Sequence, residues 1–221
     1  MIENRDGKEK FWDSELELDP FRKDALNELG NIASCHAVTA LAEMTGMTIN
    51  IAVPSVDIVS ITDTEKLLEL EKIVAGNFIR LEGGFSGYLQ VLFPERSALR
   101  LVDVLMCRGS GETKSIETEM EESALMETGN ILASAFCSAI ADFFQFSMLP
   151  SPPSFALDMM GAMIESAIIA VAQAHETEHV VLFKCDFEEE ENGLYGYILL
   201  FPNAESLNNI LSMLEATVAA V

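Results

Sequence analysis

The sequence is short of positive charge. Thirteen lysines and arginines stand against 36 aspartates and glutamates in 221 residues, a formal net charge of −23. A surface so negative repels phosphate backbones and anionic headgroups, which argues against nucleic-acid and membrane-surface binding. Cysteine is sparse too. Cys35, Cys107, Cys137 and Cys185 are scattered with no Cys-x-x-Cys pair, and residues 1–10 carry mixed charge without an apolar core. These features read as reduced thiols of a cytoplasmic protein with no secretory signal, and they argue against zinc held by paired cysteines. No apolar run is both long and free of charge. The longest, residues 155–174, contains Asp158 and Glu165, each worth about 2.5–3.5 kcal/mol of penalty at a bilayer centre. It is expected to be a buried or partner-facing helix.

What is present is a large apolar fraction, 49% of the chain, enough for a real core and too much for a disordered polymer. Residues 1–18 read as an acidic flexible lead-in, and residues 19–221 as one domain. Asp19-Pro20 gives a helix start, with an acceptor at the N-cap and proline at the first position, and the helix is expected to run to about residue 45 before Gly46. Strands are expected over 48–53, 56–61, 73–81 and 85–93, with a short helix over 63–71 and another from 94 to 106. After a polar loop at 107–115 come a long helix over 116–146, a helix over 155–174, a hairpin of 180–187 with 194–201, and a last helix over 204–219.

The two halves, about 19–107 and 116–221, share landmarks. Gly30-Asn31-Ile32 matches Gly129-Asn130-Ile131, Pro54-Ser55 matches Pro153-Ser154, and Gly87-Tyr88 before Phe93-Pro94 matches Gly196-Tyr197 before Phe201-Pro202. Two long repeats of this kind imply a pseudo-two-fold domain, not a solenoid. Antiparallel hairpins with helices alongside make the class α+β.

The repeated polar residues are the candidates for chemistry. Asp24, Glu28 and Asn31 fall at i, i+4 and i+7, as do Ser123, Glu127 and Asn130. At about 100° per residue each set occupies a stripe about 60° wide. Opposite lie apolar stripes, Leu26, Ala33, Ala37, Ala40 and Met44 on one helix and Leu125, Leu132, Phe136, Ala139 and Phe143 on the other. One exposed polar stripe is ordinary. Two copies, each followed after 22 intervening residues by Pro54 or Pro153, point to a function kept while the core partners changed.

With these motifs the chain resembles the CheC family of chemotaxis phosphatases, relatives of CheX and FliY. The family pattern is Asp or Ser, three residues, Glu, two residues, Asn, then 22 residues and Pro, and both halves fit it. The resemblance spans residues 21–214 and implies two long helices packed across one face of an antiparallel sheet. It implies that the substrate is a phosphorylated CheY-like response regulator. Asn31 and Asn130 would position the attacking water, and Glu28 and Glu127 would pair with the regulator's lysine. The amide chemistry agrees with that division. Asparagine has no usable basicity, but its C=O and NH₂ can hold a water, as a positioning glutamine does in GTPases. No cofactor of its own is implied, the Mg²⁺ residing on the regulator. Asp24, Ser123, Pro54 and Pro153 are supporting motif residues. The same resemblance makes Asp158, Met159 and Ala162 a candidate docking surface for the CheD deamidase, and a monomer is expected. A non-catalytic adaptor using the same faces is the competing reading. The first copy departs from the family in continuing Ala33-Ser34-Cys35-His36, which sets Cys35 on the motif stripe where the second copy has Ser134. His175-Glu176-Thr177-Glu178-His179 matches the zinc-protease pattern, but it lies in a polar joint with no apolar side and so reads as no metal site.

Overall fold

The computed structural model describes residues 20–52, 54–60, 70–175, 179–189 and 193–219. The lead-in, the helix expected over 63–71 and the centre of the His-Glu-x-x-His segment lie largely outside them. Thirteen elements follow in chain order among the described residues: α1 (Pro20–Thr45), β1 (Asn50–Ile51), β2 (Ser55–Ser60), β3 (Ile73–Gly83), β4 (Gly87–Pro94), α2 (Glu95–Leu105), α3 (Glu119–Phe144), β5 (Met148–Pro150), β6 (Ser154–Met159), α4 (Met160–His175), β7 (His179–Glu189), β8 (Leu194–Pro202) and α5 (Ala204–Ala219).

All eight strands form one antiparallel sheet of order β1-β7-β8-β4-β3-β5, with β2 also on β7 and β6 also on β3. The order reads the same from either edge. The broken strand β1/β2 closes one side on β7, and the broken strand β5/β6 closes the other on β3. The pseudo-two-fold axis therefore runs between β4 and β8. The motif prolines sit at the two breaks, Pro54 between β1 and β2 and Pro153 between β5 and β6. Proline has no N–H for the ladder, so it suits a strand interruption at a sheet edge. The 22-residue spacing thus runs from the polar stripe, around the end of the helix, to the edge of the sheet.

Helices α1 and α3 lie side by side on one face. Their buried residues, among them Leu26, Ala33, Leu41, Leu125, Leu132 and Phe136, join Ile79, Leu89 and Phe93 of the sheet in the main core. Gly46, at φ +70°, ends α1, and its N–H donates to the Ala42 carbonyl at 2.8 Å. By length and composition α3 could cross a bilayer, but here its apolar side is core. Two details differ from the apolar stripes expected. Ala40 and Met44 are only half-buried. Phe143 is 44% exposed because Phe144 takes the core position at the end of α3, the two rings meeting edge to face at 4.9 Å.

The opposite face of the sheet carries α4. Met160, Met163, Ile164, Ile168 and Val171 pack there on Val74, Leu92, Leu199 and Phe201, and Gln90 of β4 donates to the Met163 carbonyl at 2.6 Å. A continuous helix over 155–174 is not found. Residues Ser154–Met159 pair antiparallel with β3, from Phe78↔Ser154 to Ile73↔Met159, and the helix starts only at Met160. Its first N–H groups are satisfied by the chain before β3, Met160 donating to the Lys72 carbonyl at 2.8 Å and Gly161 to that of Leu70 at 3.0 Å. Pairing with a strand some 80 residues away overrides the local helical pattern.

Candidate functional site

The local sequence sets the start of α3 firmly. The N-terminus of α3 is fixed by a capping box: Glu121 N–H donates to Thr118 Oγ1 at 3.3 Å, and Thr118 N–H donates to the Glu121 carboxylate at 3.0 Å. Arg108 donates to the same carboxylate at 2.6 Å and to Thr113 Oγ1 at 2.9 Å. The Arg108 bond, with the Glu117 and Thr118 N–H bonds, pulls the Glu121 pKa down to about 2. Buried Asp103 accepts from the Gly111 and Thr113 N–H groups at 2.6 and 2.8 Å. Burial alone would raise its pKa, but the Thr113 and Gly111 bonds, with Arg100 nearby, outweigh that and lower it. The 107–118 loop is thereby tied to α2 and sets where α3 begins.

From these supports the polar stripes emerge as expected. Asp24, Glu28 and Asn31 are exposed along α1, with Leu29, Gly30 and Ala33 buried beneath them. Ser123 and Glu127 are exposed along α3 and Asn130 is half-buried, over buried Thr128, Gly129 and Leu132. At i, i+3 spacing the Glu and Asn side chains of each pair are neighbours, with Cβ atoms about 5–6 Å apart. Glu28, Glu127 and Asn130 have no side-chain hydrogen bond or ion pair to another described residue. Glu28 and Glu127 are exposed to a partner's approach. The copies are not identical. Cys35 is exposed one turn on from Asn31, and its Sγ–H makes a weak contact with Asn31 Oδ1 at 4.0 Å. That is the acceptor a water would need. His36 is exposed, away from the stripe.

Neither stripe lines either of two cavities found among the described residues. One space of about 530 Å³ lies by Asn50, Glu188, Tyr195 and Tyr197, and one of about 210 Å³ by Arg80, Tyr88, Val171 and Asn203. An exposed helix face with paired Glu and Asn does not by itself surround a small substrate. It suits a second macromolecule that brings the reacting group with it.

The candidate docking residues are divided by the strand–helix boundary. Asp158 and Met159 end β6, where Asp158 Oδ1 accepts from the Met159 N–H at 2.7 Å, while half-buried Ala162 lies on α4. They do not form the single helical stripe expected. Leu157 and Met159 are 45% and 50% exposed beside Ile73 of β3. Sequence reasoning passed over Asn77, a fully buried amide on β3 that donates to the Leu125 carbonyl of α3 at 3.1 Å. A polar residue in the alternating apolar run Ala75-x-Asn77-x-Ile79 was the available signal.

A pseudo-two-fold α+β sheet with two long helices across one face matches the CheC/FliY fold. The CheC-like family model matches residues 21–58 and 120–157, the two segments that carry the motifs and their trailing prolines. A relative from Bacillus subtilis (strain 168) named CheY-P phosphatase CheC is 28% identical over 88% of this chain and 94% of its own length. Among solved structures, Thermotoga maritima FliY superposes with a TM-score of 0.69 at 19% identity, covering 91% of this chain and 99% of that one. CheX in the Borrelia burgdorferi CheX-CheY-BeF3-Mg complex gives 0.53 at 15% identity, covering 80% and 96%. The FliM middle domain of H. pylori gives 0.60 at 12%, covering 89% and 99%, a likeness of fold alone.

Proposed function

We propose that this chain dephosphorylates the phosphoaspartate of a CheY-like response regulator in the cytoplasm, as a monomer with two faces. The observation that carries this reading is the repetition of a Glu/Asn pair on the outer side of both core helices, in a chain whose Bacillus subtilis relative is named for that activity. Asn31 or Asn130 holds a water in line with the phosphorus. The water oxygen forms a bond to phosphorus as the bond to the aspartyl oxygen breaks, and the water's proton leaves with the phosphate product. The leaving group is a carboxylate and needs no proton, so no general base is required, and the gain is positional. Glu28 or Glu127 pairs with the regulator's lysine and sets the orientation. Mg²⁺ enters with the regulator.

The competing reading is an adaptor that binds a regulator without turnover. The test is the lifetime of phosphorylated regulator with and without the protein. Shortening by wild type, weakened in Asn31→Ala and in Asn130→Ala, supports the enzyme. Binding with an unchanged lifetime supports the adaptor. CheD docking at the β6–α4 junction, through Asp158, Met159 and Ala162, is a separate proposal. Loss of CheD co-elution in Met159→Asp tests it.

A further inference from the structure

We propose that Asn77 is a positioning residue for the second motif and that it makes the two faces unequal. The inference rests on the phosphatase reading. On β3, the residues Ala75, Asn77, Ile79 and Leu81 face the α1/α3 core and all are buried. Asn77 is the one polar residue in that row. Its Nδ2 donates to the Leu125 carbonyl, while its Oδ1 is buried without a partner. A half-satisfied buried amide is costly, and a leucine there would remove the cost. The site has therefore kept a group that stability alone disfavours.

What the amide touches explains why. The Leu125 carbonyl is also the helical acceptor for the Gly129 N–H. Gly129 has no side chain, and a Cβ there would overlap the Asn77 amide. Residues 125–129 thus rest directly on a strand side chain, with no flexible side chain of their own between. Glu127 stands on that turn about 160–200° around the helix from both contacts, and Asn130 follows it immediately. Height and rotation of this turn over the sheet set where the water-holding amide points.

The register-matched position carries a different residue. In the other half the matching position is Phe183, which pairs with Leu200 as Asn77 pairs with Val91, and with Val56 as Asn77 pairs with Phe155. A phenylalanine side chain carries no amide, so this position offers no counterpart to the hydrogen bond that Asn77 makes to α3. Two copies of one motif are therefore seated by different chemistry.

The experiment places Asn77→Leu in two full-length single-face proteins, Asn31→Ala (second face intact) and Asn130→Ala (first face intact). The substrate is a CheY-like regulator charged with a small acyl phosphate. The second-face protein is expected to lose about 10- to 100-fold in kcat, with a smaller change in KM, and the first-face protein to keep its rate. Equal losses in both, or none in either, overturn the proposal. If Asn77→Leu does not fold, Asn77→Ser, which keeps a hydroxyl donor, must show the same one-sided loss at smaller size. If wild type has no phosphatase activity, the functional reading fails separately. Amide exchange then decides: Asn77→Leu must speed exchange at Gly129 and Asn130 but not at Gly30 and Asn31, and uniform protection overturns it.

Discussion

Gly129→Ala is a substitution whose sign the structure reverses. In an exposed helix interior, glycine to alanine stabilises by about 1 kcal/mol. Here the new Cβ would overlap the buried Asn77 amide. Asn77 is held on a central strand and fully buried, so it cannot swing into solvent. Overpacking of this kind costs about 1–3 kcal/mol, and displacement of Asn77 forfeits its bond to Leu125, about 1 kcal/mol more. Set against the helical gain, the net is a loss of about 1–3 kcal/mol. For a chain of this size each kcal/mol lowers Tm by about 2–4 °C, so a fall of about 2–12 °C is expected in thermal unfolding followed by circular dichroism. Asn77→Ala makes room for the methyl, so the double variant Asn77→Ala/Gly129→Ala must be more stable than the sum of its parts by about 1–3 kcal/mol. A Gly129→Ala protein as stable as wild type, or strictly additive effects, would refute the packing argument.

Further predictions follow from the supports of α3 and from Cys35. Glu121 has its pKa lowered from 4.5 to about 2 in the folded chain. Its contribution to stability is therefore present above pH 4.5 and lost as pH falls toward 2. Glu121→Gln should flatten that acid limb in pH-dependent denaturant titrations, and an unchanged limb would remove Glu121 from the account. Thr118→Ala removes the N-cap of α3 and should cost about 1 kcal/mol, or about 2–4 °C in Tm, by calorimetry. Alkylation of Cys35 in an Asn130→Ala, Cys107→Ser protein should abolish turnover by crowding Asn31. The matching Asn31→Ala, Cys107→Ser protein should be indifferent to the same reagent, and loss in both would show that the thiol acts elsewhere.

The motif stripes were legible because helical period and burial agree at Asp24, Glu28, Asn31, Ser123, Glu127 and Asn130. The symmetric sheet was legible because the hairpin of β7 and β8 repeats that of β3 and β4 with the same Gly-Tyr and Phe-Pro marks. Strand β6 was not legible. Residues 155–159 carry a pattern that continues smoothly into α4, and only their ladder with β3 makes them a strand. Phe143 was misplaced because the end of a helix has neighbours that its own period cannot register. Asn77 was visible as a polar break in an apolar alternation, but its meaning depends on Gly129 lying over it, a contact between residues 52 positions apart in the chain.

The central claim is that the two asparagines perform the hydrolysis. Its most direct test is the rate of phosphate release from a CheY-like regulator charged with a small acyl phosphate and Mg²⁺, comparing wild type with Asn31→Ala/Asn130→Ala. The account predicts that the double variant leaves the regulator at its own slow rate while still binding it through Glu28 and Glu127. A double variant as fast as wild type would contradict it.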